Sequence, residues 1–214
     1  MDASHLAEIR DLLVSTGWVD RTRTFARALT RSTTERGGLL VVGTPEEEPW
    51  HLTAHLDDEA RISGIAELTP TLVRWKVPDG APPHLAVTMA RLEAARRGET
   101  VFVVAEDVAP DPLLERVWDA RKLGATILSL DGGDTELEGM AHESLVVSRS
   151  DLVVPGLSFD SVQHLVSMAV GDESRGSSGA PVGGSRGGPT GGSGGKGRLR
   201  ERLAKALDTL SGPA

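Results

Sequence analysis

Two short apolar runs decide what this chain can fold into. Gly38 to Gly43 reads Gly-Leu-Leu-Val-Val-Gly, and Thr100 to Ala105 reads Thr-Val-Phe-Val-Val-Ala. Both are rich in β-branched residues, show no polar alternation and are bounded by turn residues. Each is therefore predicted to be a strand buried on both faces. Such strands belong to parallel sheets, whose connections must cross over through helices.

The intervening sequence supplies those helices. Leu6, Ile9 and Leu13 recur at helical spacing before Gly17, which predicts a first helix over about 4–16, and Asp20 opens a second to about Arg36. Further helices are expected over 50–62, 83–97, 111–123, 134–141 and 158–170, with strands over 70–78, 125–130 and 144–147. The sum is an α/β fold with a mostly parallel five-stranded sheet flanked by helices.

One such domain is what 214 residues allow. No stretch reaches the roughly 20 apolar residues of a bilayer span, and Met1 to Arg10 lacks a secretory pattern, so no transmembrane segment and a cytoplasmic location are expected. The absence of cysteine excludes disulfides, thiolate metal sites and a thiol nucleophile. Residues 173–214 hold seven Lys or Arg against three Asp or Glu, so the total of −8 leaves −12 on residues 1–172. An acidic body is a poor nucleic-acid surface, because phosphates must be met by clustered cations.

That charge break coincides with a change of composition. Ser174 to Gly197 carries eleven glycines and five serines, too little apolar surface to offset the entropy of ordering, so 173–197 is expected to be a flexible linker after a 1–172 domain. Residues 198–211 then place Leu199, Leu203, Ala206, Leu207 and Leu210 on one helical face among basic residues. This short amphipathic helix, over 198–210, is suited to contacting a protein partner or an anionic surface, or to folding back on the acidic body.

In an open α/β sheet ligands bind beyond the carboxyl ends of the strands. The first run is followed by Thr44-Pro45-Glu46-Glu47-Glu48-Pro49 and the second by Glu106-Asp107-Val108-Ala109-Pro110-Asp111. Thr44, Glu47, Trp50, Glu106 and Asp107 are thereby the candidate ligand-binding residues. The glutamates also suit the start of the 50–62 helix electrostatically. Walker and Rossmann glycine patterns and a nucleophile elbow are absent.

His51, His55 and Glu59 fall at i, i+4 and i+8 on the 50–62 helix, where their side chains share a face. Two imidazoles and a carboxylate so placed are candidate ligands for a divalent metal; a polar helix face or an oligomer contact would use them equally well.

Three stretches, Gly38 to Gly64, Arg97 to Leu130 and Phe159 to Val166, together resemble the sugar isomerase (SIS) domain of phosphosugar isomerases and sugar-phosphate-sensing regulators. The resemblance implies a doubly wound, flavodoxin-like arrangement of the sheet, an oligomeric core and a phosphate site built from serines in the two loops. Neither loop here contains a serine. At ~4 Å and an effective dielectric near 20, each carboxylate beside a phosphate would cost on the order of 4 kcal/mol. The chain thus resembles a degenerate member, which implies a non-catalytic homo-oligomer that senses a carbohydrate derivative or binds a protein, with no cofactor required. The alternative is a sugar-phosphate isomerase with a rebuilt anion site, with Glu59 as catalytic base and His164 or His55 as acid or metal ligand. The heptose isomerases of the family resemble the chain at His55 and Glu59, and Gln163 and His164 are the nearest counterparts of their last-helix ligands.

Overall fold

The computed structural model describes residues 17–148 and 158–177. The expected helix over 4–16 and the segments 178–197 and 198–211 lie outside the described residues.

Leu39–Val42 (β1) and Thr100–Ala105 (β3) are strands in which every residue is buried. They pair in parallel, Leu39 opposite Thr100 and Val42 opposite Val103. Pro70–Val73 (β2) lies on the outer side of β1, and Thr126–Asp131 (β4) and Glu143–Val146 (β5) follow β3, giving the order β2-β1-β3-β4-β5. All four pairings are parallel. The sheet is therefore wholly rather than mostly parallel.

Alternation along the strands sorts the core into two layers. Leu39, Val41, Phe102, Val104, Leu128 and Leu130 face Trp18–Ser32 (α1), Trp50–Ser63 (α2) and Phe159–Ser177 (α6). Phe102 meets Phe25 of α1 with ring centroids 5.2 Å apart. Leu40, Val42, Val101, Val103 and Ile127 face the other way, onto Ala90–Glu93 (α3), Asp111–Lys122 (α4) and Thr135–Met140 (α5). Each fully buried Leu, Val or Phe contributes about 1.5–3 kcal/mol.

Four expectations change. The helix over 20–36 ends at Ser32, and the last helix runs on through Ser177, beyond residue 170. The strand over 70–78 stops at Val73, where Trp75 turns back to donate its indole N–H to the Gly43 carbonyl at 2.8 Å. The helix over 83–97 is broken into a 3₁₀ turn at Pro83–Leu85 and the four-residue α3. The cause is tertiary: the Arg74 N–H donates to the Val87 carbonyl at 2.8 Å and Arg74 bridges Thr88, which holds this stretch extended beside the end of β2. Leu92 and Ala95 still reach the core, so the apolar spacing marked burial rather than a continuous helix.

Candidate functional site

The chain leaves β1 toward one edge of the sheet and β3 toward the other. Such a reversal of strand order is where open α/β sheets take ligands, in a crevice beyond the carboxyl ends of the strands. The two loops that line it are held by close backbone approaches. A Cβ at Gly43 would stand 2.1 Å from the Glu47 carbonyl oxygen, and one at Gly132 would stand 2.1 Å from the Glu106 carbonyl oxygen. Thr44 is buried, and its hydroxyl accepts the Glu47 N–H at 3.2 Å, so its role is to shape the first loop.

The second loop is clamped by two acids that the sequence patterns did not single out. Asp134 caps α5 by accepting the Glu136 and Leu137 N–H groups at 3.0 and 3.1 Å, and its other oxygen accepts the Ala109 N–H at 2.8 Å. Asp131, fully buried at the end of β4, accepts the Gly133 and Asp134 N–H groups at 2.9 and 3.2 Å. An Asp before a short helix is a legible cap signal; its reach to Ala109 is not.

On this frame Glu47, Glu106 and Asp107 come together, joined by Asp160 from the first turn of α6. Burial pushes the Glu47 carboxyl above the usual glutamate range, and the negative charges of Glu106, Asp160 and Asp107 push it further. Glu47, Glu106 and Asp107 form no ion pair among the described residues. Glu48 is different, since it pairs with Arg74 at 2.9 Å. Asp160 accepts from the Gln163 amide at 3.2 Å, which accounts for Gln163.

Beside the acids, α2 packs along α6 and brings His51, His55 and His164 together. Their nitrogens lie within 4.8 Å of one another, and the ring centroids are 4.8 Å (His51–His55), 5.0 Å (His51–His164) and 4.5 Å (His55–His164) apart. Burial pulls His55 and His164 below the ordinary histidine range, and for each the neighbouring imidazoles add to the effect. Glu59 is buried on α2 and acts electrostatically on His55, but it is not a member of this close group. Four residues of α-helix turn the side chain by about 40° past a full turn, so Glu59 drifts about 80° from His51 toward the buried stripe of Leu52 and Leu56. Trp50, 62% exposed, packs its ring 5.2 Å from that of His51 and also lines a groove of about 500 Å³ with Pro70, Thr71, Leu72, Arg74 and Leu85 at the β2 edge.

Solved structures with this architecture are found among sugar-binding proteins. A protein assigned to sugar binding from Salmonella typhimurium LT2 superposes with a TM-score of 0.53 at 16% identity, covering 97% of this chain and 56% of its own. The Vibrio vulnificus NanR protein complexed with ManNAc-6P gives 0.51 at 15%, covering 97% and 69%. A protein assigned as a phosphosugar isomerase from Silicibacter pomeroyi DSS-3 gives 0.50 at 14%, covering 93% and 53%. The chain shares their fold. It spans little more than half the length of the first and third of these proteins, and at such identities the likeness is one of fold alone. No protein-family profile and no curated protein matches the sequence. Among the described residues no helix is long and apolar enough to cross a membrane.

Proposed function

We propose that this chain is a non-catalytic SIS-like domain that senses a carbohydrate derivative, and that its ligand presents an amine or neutral hydroxyls, not a phosphate, to the crevice. The observation that carries this reading is the convergence of Glu47, Glu106, Asp107 and Asp160 at the strand-order reversal, where burial first, and then the charges of the other three, hold Glu47 above its usual range. A phosphate would add to that repulsion, whereas an ammonium group would relieve it. The carbohydrate class is supported by the names of the proteins that share the fold. A second copy is the expected partner, and the exposed Trp50 and Leu85 beside the edge strand β2 favour that contact. The 198–210 helix serves as a further protein contact on this reading.

A thermal-shift series on the full chain tests the ligand class, with amino sugars, neutral sugars and sugar phosphates as probes. A ligand at 100 times its Kd adds about 2.7 kcal/mol to stability. Stabilisation by amino or neutral sugars alone is expected. Stabilisation by a sugar phosphate would overturn the reading. The enzymatic alternative, with Glu59 as base and His164 as acid, draws support from the 4.5 Å approach of the His55 and His164 rings. Isomerase turnover that Glu59→Gln abolishes in a folded protein would decide for it.

A further inference from the structure

We propose that residues 198–210 of this chain dock as a helix in the groove between α2 and the edge strand β2 of their own domain, where they compete with a second copy. The inference goes beyond the ligand assigned to the crevice, since it concerns a different surface and a different occupant.

One helix face and one strand wall this groove. Trp50, Thr53, Ala54 and Asp57 fall at i, i+3, i+4 and i+7 on α2, and Pro70, Thr71 and Leu72 of β2 stand opposite with Leu85. The small Ala54 at the middle of the α2 wall leaves room for a second helix to pack closely. Arg74, which also lines the groove, is held by Glu48 at 2.9 Å. Asp57 and Asp58 share one guanidinium, that of Arg61, so a net negative charge remains beside the groove. The other large groove, of about 560 Å³ between α3 and α4, is lined by Glu93, Glu115, Arg116, Asp119, Lys122 and Leu123. Five of these six are charged, so it offers an apolar helix face no comparable floor.

The chain carries a complementary piece. Leu199, Leu203, Ala206, Leu207 and Leu210 form one helical stripe, and Arg198, Arg202 and Lys205, at i, i+4 and i+7, line one flank of it. An isolated helix of this length is marginal in water, so the stripe needs an apolar surface to fold against. Its basic flank suits the charge left at Asp57 and Asp58. The tether is long enough. α6 ends at Ser177, and residues 178–197 are rich in glycine. A chain of that kind and length has a root-mean-square span of about 22–27 Å. A domain of about 150 residues has a radius of gyration near 15 Å and is about 40 Å across, so the segment reaches any part of its own surface. At an effective concentration on the order of 1 mM, a contact with a Kd of ~0.1 mM leaves about nine-tenths of the segment seated. A second copy that takes the groove displaces it and frees the segment for a further protein.

The chain has no cysteine, so Ser211→Cys accepts a single nitroxide beside the segment. The test compares the amide NMR signals of the isotope-labelled full chain with the nitroxide active and then reduced. Thr53, Ala54, Thr71 and Leu72 are expected to lose more than about half their intensity, given that about nine-tenths of the segment is seated. Glu115, Asp119 and Leu123, in the other layer, should keep theirs. Each leucine lost from a buried stripe costs about tenfold or more in affinity. Leu203→Asp combined with Leu207→Asp should therefore leave less than about a tenth seated and restore the signals. A mixture of isotope-labelled chain without nitroxide and unlabelled chain with it reports contacts between copies alone, and should show no loss. Loss at the α4 residues, loss nowhere, loss in the mixture alone, or loss that the leucine variant leaves unchanged would overturn the proposal. A dimer that Trp50→Ala breaks, with no loss at the groove, would overturn it as well and leave the second-copy contact standing.

Discussion

The two ends of the sheet treat their charged residues in opposite ways. At the amino end Glu99 is only 5% exposed, but its carboxylate pairs with Arg91 and accepts the Arg96 N–H at 2.9 Å. Nearby, the Thr100 hydroxyl donates to Ser32 at 2.9 Å, and the Gly98 carbonyl accepts the Thr34 and Glu35 N–H groups at 3.0 and 3.2 Å. At the carboxyl end Glu47, Glu106, Asp107 and Asp160 gather, and Glu47, Glu106 and Asp107 form no ion pair among the described residues. Buried polar groups are tolerated when satisfied, and like charges held together cost stability. The amino end is therefore built for folding. The carboxyl end carries a stored electrostatic cost that a bound cationic group would relieve.

Substitutions can break that contrast. The largest effect is expected at the amino end: Glu99→Ala strips Arg91 and the Arg96 N–H of their acceptor and should lower unfolding stability by about 2–3 kcal/mol, read by urea denaturation. Asp134→Ala comes next, at about 2 kcal/mol, because a helix cap and the clamp on Ala109 are lost together. It would show that an acid at the carboxyl end can be structural when N–H groups surround it. An effect below about 0.5 kcal/mol would remove that distinction.

Glu47→Gln should have the opposite sign. Its folded-state carboxyl sits above the unfolded value, so the folded form binds the proton more tightly, and stability falls as pH rises from the unfolded toward the folded value. The variant should therefore have a higher Tm at neutral pH. The gain should vanish in acid below the ordinary glutamate range of about 4.3, where both states are protonated. Added salt should shrink it as well. A Tm that Glu47→Gln lowers at neutral pH would sink the idea of a strained acidic crevice. The smallest effect belongs to Trp50→Ala, within about 0.5 kcal/mol for the folding of one chain, since Trp50 is 62% exposed. Its readout is the oligomeric state in light scattering, where loss of a dimer is expected.

The fold was legible where the sequence signal is local and strong. The runs at β1 and β3 are apolar on every residue, and only a sheet covered on both faces uses such strands. The stretch over 83–97 failed because its apolar spacing fits a helix, while a hydrogen bond from Arg74, distant in sequence, holds Val87 in an extended path. The site divides the same way. His51 and His55 were visible as neighbours on one helix, and the loop acids as neighbours of two strands. The third imidazole, His164, was named only through the family resemblance, because its approach to His51 depends on how α6 lies across α2, a packing written in no single segment. Asp160 and Asp134 were missed because each acts on a loop more than twenty residues away.

The position of α6 also sets a schedule for synthesis. This helix supplies Phe159, Val162, Leu165, Val166 and Ala169 to the layer that covers Phe102 and Trp18, yet it is the last described element of the chain. A ribosome adding about 5–20 residues per second needs about 2–6 s to pass from Val146 to Ser177. Throughout that interval all five strands have been made, and one apolar face of the sheet lacks the third of its three covering helices. The nascent chain is then most exposed to capture by chaperones and to aggregation, and a stalled product ending before Phe159 would be a substrate for proteolysis.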